Sequence, residues 1–285
     1  MKKVMDKFRR HFSVKTWKLW EMLGFHLSPN HFYWPIPDTK GLKKYNFDRK
    51  FPDSGIRIDD TKVINLLKRL KDYKEEYSSI MQDNAYESGG DGFILYSMVR
   101  HLKPKRIIEI GSGNSTSVCS CAVKRNKQGI ISAIEPYPRD FLVDLAKKDQ
   151  DIELIRKKVE DVGTAFFMKL REGDILFIDS SHNIKCGNDV HFIYLFLLPR
   201  IPVGTYIHIH DIRYPQEYPR EWILKKKYFW NEQYMLQMFL CYNDSFEIIM
   251  PSNYVKEKYP EKFKESAAGL NNSTWPGSFW IKRIK

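Results

Sequence analysis

Arg106-Ile107-Ile108-Glu109-Ile110-Gly111-Ser112-Gly113-Asn114-Ser115-Thr116 is the stretch that decides how this chain folds. A basic lead-in, Lys103-Pro104-Lys105, delivers a β-branched run, Ile107, Ile108 and Ile110, interrupted by a single acid, Glu109. Two glycines follow, Gly111 and Gly113, and Asn114-Ser115-Thr116 open a helix-like segment. A buried strand that turns into a helix over glycines places backbone N–H groups and a helix N-terminus beside a ligand. The turn is therefore expected to cradle a cofactor.

Downstream, strand and helix patterns alternate. Strand 106–110 is followed by a helix over 115–125, with Ser115 or Asn114 as its natural cap. Strands are expected at 130–135, 152–155, 174–179 and 203–210, and helices at 140–148, 162–170, 188–198 and 229–241. Residues 246–250 and 278–281 read as two further strands, joined by a polar helical excursion at 253–266. This alternation implies an α/β fold with a mostly parallel sheet covered by helices on both faces. Upstream, Val63, Leu66, Leu67 and Leu70 make one helical stripe. Phe93, Leu95, Met98 and Leu102 make another, introduced by Gly89-Gly90-Asp91-Gly92.

The first 58 residues differ in kind. Val4, Met5, Phe8 and Phe12 recur at helical spacing among basic residues, an amphipathic helix suited to docking on protein or on an anionic membrane surface, with protein favoured. Residues 13–55 mix Trp17, Trp20, Phe25, Phe32, Tyr33 and Trp34 with Pro29, Pro35 and Pro37, a density of proline that prevents a long helix. They are expected to form an arm laid on the main domain or on a second subunit, so a homodimer is one partner arrangement the sequence allows. The division expected is 1–58 for this arm and 59–285 for the main domain.

The chain has 285 residues, 42% hydrophobic and 29% charged, which fits a globular protein with a sizeable core. Its longest apolar run, residues 192–198, falls far short of the roughly 20 residues that span a bilayer. No secretory signal pattern is present, so the expected location is cytoplasmic. Cys119, Cys121, Cys186 and Cys241 lack the paired spacing of a structural zinc site and read as reduced thiols. A net charge of +12 is compatible with nucleic acid, an anionic surface, an acidic substrate or simple solvation.

The identity of the cofactor turns on acids. A nicotinamide fingerprint runs G-x-G-x-x-G, but Thr116 stands at the third glycine position. Instead, Glu109 lies by the end of the first strand, Glu135 at the second, Glu160 and Asp161 soon after the third, and Asp179 at the fourth. Loops at the carboxyl ends of the strands line one crevice in such a sheet. S-adenosylmethionine offers an amino group, a ribose diol, an adenine amino group and a sulfonium cation, all matched by acids.

Ile107 to Thr116 and Gly173-Asp174-Ile175-Leu176-Phe177-Ile178-Asp179-Ser180-Ser181-His182 resemble motifs of class I S-adenosylmethionine-dependent methyltransferases. The similarity is to a bacterial subfamily that often accompanies surface-glycan or secondary-metabolite genes. His208-Ile209-His210-Asp211-Ile212, Tyr218-Pro219-Arg220-Glu221-Trp222 and Phe229-Trp230-Asn231-Glu232-Gln233-Tyr234 share in it. The resemblance implies a Rossmann-like seven-stranded sheet whose last strand is antiparallel, with residues 59–285 as the methyltransferase domain. It also implies that Glu109 holds the methionine amino group through water. Gly111 and Gly113, with Ser112 between them, admit the backbone to the cofactor. Glu135 clasps the ribose, and Asp161, or Glu160 one position earlier, meets the adenine.

Asp179, His182, His210 and Asp211 form a second constellation at the ends of the fourth and fifth strands. His208 shares a strand face with His210 but lies deeper, as a core histidine does. Asp179, His210 and Asp211 are similar to the ligand set of metal-dependent O-methyltransferases and would suit Mg2+ or Mn2+. Alternatively His182 or His210 is the general base, held by Asp211. Tyr214, Trp222 and residues 230–233 follow the fifth strand; they either border the acceptor, with Trp230 stacking on a ring and Glu232 binding hydroxyls, or form a helix N-terminus packed on the sheet. The function expected is O-methylation of a small molecule or glycan. An RNA methyltransferase and a non-haem iron oxygenase built on the His/Asp cluster are the alternatives. Nucleic acid is the weaker choice because no recognised RNA-binding module is present.

Overall fold

The computed structural model of the chain describes residues 2–52, 55–82, 90–267 and 276–285; Gly89 lies outside them, as does the side chain of Val4. Seven strands form one sheet: β1 (Arg106–Ile110), β2 (Ile130–Ile134), β3 (Ile152–Ile155), β4 (Ile175–Ile178), β5 (Tyr206–Ile209), β6 (Phe246–Pro251) and β7 (Phe279–Arg283). Their order is β3-β2-β1-β4-β5-β7-β6. β1 to β5 pair in parallel, and β7 runs against both β5 and β6, as the antiparallel last strand demands. Isoleucine-rich runs such as those of β1 and β4 exist because both faces of a parallel sheet are covered. All four residues of β4 are buried.

The helix after β1 spans Asn114–Asn126, and its N-cap is Gly113, which supplies no capping side chain. The expected caps, Asn114 and Ser115, thus lie inside the helix. The turn is held from within it instead: Thr116 Oγ1 accepts from the Gly113 N–H at 3.2 Å. The helix expected over 162–170 is divided, Val159–Val162 being α-helical and Thr164–Lys169 a 3-10 turn. Gly163 separates them at φ +77°, a left-handed conformation that ends a helix. The segment expected as one helix over 188–198 starts as an α-turn at Asp189–Phe192, capped by Asn188, and widens to a π-turn at Ile193–Leu197.

The chain divides into two compact units. The larger comprises Lys50–Glu217 and Trp230–Lys285 and contains the sheet. The smaller comprises Met1–Arg49 with the returning segment Tyr218–Phe229. Inside the smaller unit, Arg220 lies over the Phe47 ring at 5.6 Å and donates to the Lys43 carbonyl at 3.3 Å. Its helices Lys2–Lys15 and Trp17–Met22 are short, in keeping with the prolines that follow. The amphipathic stripe expected to dock on protein leaves Met5, Phe8 and Phe12 exposed.

One position fixes the geometry between strands. Gly111 adopts φ +76°, and a Cβ there would lie 1.9 Å from the Asp179 carbonyl oxygen. Gly113 is extended, and its Cβ would meet only the Arg139 side chain at 3.6 Å. Gly111→Ala is therefore expected to cost about 3 kcal/mol or more, and Gly113→Ala about 1 kcal/mol or less. Denaturant midpoints of the two variants check this; equal midpoints would remove the close approach as the reason for Gly111.

Candidate active site

The site grows from a row. Gly111, Glu135, Asp179 and His210 are each the first residue beyond the carboxyl end of their strand. Each still donates its backbone N–H to the last carbonyl of a neighbour: Gly111 to Ile134, Glu135 to Ile155, Asp179 to Ile110 and His210 to Ile178, all within 2.8–3.0 Å. Three side chains, those of Glu135, Asp179 and His210, and the bare backbone of Gly111 are thereby fixed along one rim of the sheet.

Two cavities open on this rim. One, of about 490 Å3, is lined by Gly111, Ser112, Gly113, Glu135, Asp179 and His210 among others. The second, of about 410 Å3, shares Gly111, Glu135 and Asp179 and reaches Glu160. Both volumes fall in the range of small-molecule pockets. Glu160 contributes to the wall of the second cavity, whereas Asp161 is exposed and contributes to neither. Glu135 is half-buried, with Oε1 accepting from the Tyr137 N–H at 2.8 Å.

Glu109 sits beneath the turn, fully buried. Its Oε2 accepts from the Thr116 hydroxyl at 2.6 Å, while Oε1 has no hydrogen-bond partner among the described residues. Burial pushes its carboxyl up to about 7, against the opposing pull of the Ser115 and Thr116 hydroxyls. Thr116, which spoils the dinucleotide fingerprint, thus has a positive use. Its hydroxyl ties the strand acid to the N–H of Gly113.

Asp179, His210 and Asp211 converge, one ligand atom of each lying within 4.8 Å of the others. His210 Nδ1 stands 3.7 Å from Asp179 Oδ1 and 3.5 Å from Asp211 Oδ1, yet it is buried without a hydrogen-bond partner. Burial opposes a charge on this imidazole, but Asp179, Asp211 and Asp91 outweigh it and lift the ring to about 10. Asp211 holds φ +57° and His182 φ +58°, a left-handed conformation that is uncommon for non-glycine residues and that Asp and His tolerate better than most.

His182 is held from both sides. Its Nδ1 lies 2.8 Å from Glu232 Oε2, and its Nε2 lies 3.2 Å from Asp179 and 3.6 Å from Asp211. Trp230 packs on the ring at 4.2 Å between centroids. Burial again disfavours the charge, but the hydrogen bonds that the ring donates to Asp179 and Glu232 raise the imidazole to about 10. Of the two readings of residues 230–233, the packed helix start is the one found, the helix Glu232–Leu240 beginning here. Glu232 is fully buried and engages His182 and the Ser180 hydroxyl, and Trp230 packs against His182 with the ring planes tilted by 38°. Tyr214 is likewise no acceptor wall: it is buried and packs on Tyr254 and Phe279. Gln233 is buried too and accepts from the Arg213 N–H at 3.2 Å, bracing the loop after β5. Trp222 belongs to the smaller unit.

His208 lies one step deeper, stacked 4.7 Å from Trp280 with Nε2 2.8 Å from Ser278 Oγ; burial holds it well below the ordinary histidine range. Asp91 was not singled out from sequence. It lines the larger cavity, stands 3.9 Å from His210, and accepts from the Gly277 and Ser278 N–H groups. The signal that could have found it is the glycine on either side, Gly90 and Gly92, at the start of a buried helix. The four cysteines are free thiols.

Glu109 sets a pH test. Its folded value of about 7 exceeds the ordinary carboxyl value of 4.5, so the folded state binds the extra proton and stability falls as pH rises between the two. The loss amounts to about 3 kcal/mol. Glu109→Gln is expected to flatten stability across that window; an unchanged slope in urea melts from pH 4.5 to 7.5 would place the burden elsewhere.

Residues 108–212 match the family model described as a methyltransferase domain. An uncharacterised protein of Archaeoglobus fulgidus is 31% identical over 171 residues, 54% of this chain and 77% of that protein. Among solved structures, the O-methyltransferase TomG of Streptomyces achromogenes, involved in tomaymycin synthesis and in complex with S-adenosylmethionine, is 12% identical. The match covers 81% of this chain and 92% of that one, with a TM-score of 0.45. The O-methyltransferase of Bacillus cereus, in complex with S-adenosylhomocysteine, is 15% identical over 80% of this chain and 92% of that one, with a TM-score of 0.42. With the motif after β1, the strand order and the acids on one rim, the matched domain makes this chain a member of the class I S-adenosylmethionine-dependent methyltransferases.

Proposed function

We propose that the chain methylates a hydroxyl of a small molecule or glycan, with a divalent ion held by Asp179, His210 and Asp211. The observation that carries this reading is the orphaned, buried Nδ1 of His210 between two carboxylates. One nitrogen and two carboxylate oxygens suit Mn2+ or a similar divalent ion better than a purely oxygen-loving one.

The cavity chemistry also fits the methyl donor. Glu135 at the rim can accept from a ribose diol, and Glu160, which lines the second cavity, would meet the adenine. Glu109 acts from below: a donor ammonium across the turn would favour the charged form that burial resists. When bound, S-adenosylmethionine supplies the methyl group and a divalent ion lowers the pKa of the acceptor hydroxyl. The chain's own part is positioning. His182, clamped by Glu232, directs its other nitrogen at Asp179 and Asp211 and so orients two of the three proposed ligands, as outer partners of a metal site do. That arrangement argues against His182 as general base, since both ring nitrogens are already engaged by acids. A reading as iron oxygenase loses its ground because the His/Asp cluster falls within the methyltransferase domain.

Titration calorimetry with S-adenosylhomocysteine, run beside NAD and with and without Mn2+, tests both halves. The nucleoside product is expected to bind and NAD to give no heat; the reverse would end the donor reading. Mn2+ is expected to bind, and Asp211→Ala or His210→Ala to weaken it by roughly tenfold or more while leaving the nucleoside affinity in place. Unchanged Mn2+ binding in both variants would remove the metal assignment.

A further inference from the structure

The charge of this protein is not spread over it. Residues 1–49 and 218–229, the smaller unit, hold fifteen basic and five acidic residues, so +10 of the +12 net charge falls on 61 of 285 residues. The same unit carries the apolar exposure. Of the twenty-two large apolar side chains exposed among the described residues, thirteen lie between Met5 and Ile36. Phe32 is 90% exposed, Met22 80% and Phe8 61%. A monomeric surface seldom leaves so many large apolar groups together in water.

We propose that this unit is a membrane-surface anchor that lays its apolar groups into an anionic lipid surface. The helix Lys2–Lys15 has the required form. Met5, Phe8 and Phe12 fall on one stripe, and the Phe8 and Phe12 rings are stacked at 6.2 Å. By helical periodicity Arg9 and Lys15 flank that stripe at headgroup height, and Lys7 and Arg10 fall on the opposite, aqueous face. Lys40, Lys43, Lys44 and the run Lys225-Lys226-Lys227 add further positive charge to the unit, drawn by anionic lipid within a Debye length.

Other partners satisfy only half of this surface. In a symmetric pair of copies this surface would face its own equal, and two units of +10 repel each other. Nucleic acid would answer the charge, yet its phosphates offer nothing to Met5, Phe8, Phe12 and Met22. An anionic bilayer answers both at once. No helix among the described residues is long and apolar enough to cross a membrane.

Flotation of the full chain with vesicles of phosphatidylcholine, with and without one third phosphatidylglycerol, tests the proposal. Retention is expected to be roughly tenfold greater on the anionic vesicles and to collapse at high salt. Phe8→Glu with Phe12→Glu, and separately Lys43→Glu with Lys44→Glu, are expected to abolish it while leaving S-adenosylhomocysteine binding and the circular dichroism of the full chain unchanged, which confirms that both units fold. Equal retention on neutral vesicles, retention unaffected by both double variants, tighter salt-sensitive capture by RNA, or a dimer broken by Phe8→Glu with Phe12→Glu would each overturn it.

Discussion

The parallel hydrogen-bond ladder of β1, β2, β4 and β5 is the constraint on which the site depends. The ladder continues one residue past each strand, so Gly111, Glu135, Asp179 and His210 are locked at equal height by their own backbone N–H groups. Such a row requires close approach where β1 turns away. There the Asp179 carbonyl occupies the space of a side chain at Gly111. A glycine at that position serves the packing of two strands as well as any ligand.

Behind the row lies an unusual concentration of charge. Asp91, Asp179, Asp211 and Glu232 surround His182 and His210, and the arrangement is tolerable because acids and imidazoles alternate. Burial alone would push each imidazole toward neutrality; its carboxylate neighbours reverse that outcome. Asp211 is in turn held below the usual carboxylate range by His210 and His182, which outweigh its burial. Removing one member would leave its partners buried and uncompensated, so the cluster behaves as one unit. Glu109 is separate from it, one layer deeper, sharing a row of the sheet with Ala133 and Phe177.

The two compact units divide the properties of the chain between them. Nearly all the sheet-forming and titrating residues of interest belong to the larger, while the net charge and the exposed apolar surface belong to the smaller. Composition alone could not reveal this, because a sum over 285 residues erases where the charges lie. The returning segment Tyr218–Phe229 adds its lysines to an N-terminal region more than 160 residues away in sequence, which only folding makes one unit.

Local pattern was enough to determine the sheet. Hydrophobic runs, glycine turns and helical stripes are short-range signals, and they fix strand identity, the turn after β1 and the acids at the strand ends. Asp179 and Asp211 were legible as neighbours because adjacent strands must align their ends. Glu232, Trp230 and Asp91 were not legible in their observed roles. Each reaches the histidines through a loop or helix whose path depends on packing, and Glu232 is 50 residues from His182. The helix cap also escaped the local rule, since Thr116 spends its hydroxyl on Glu109, a partner that exists only once strand and helix are folded together. What the sequence determined by itself is which residues end each strand; which of them touch was decided by tertiary structure, because contact is set by the distance across the fold and not along the chain.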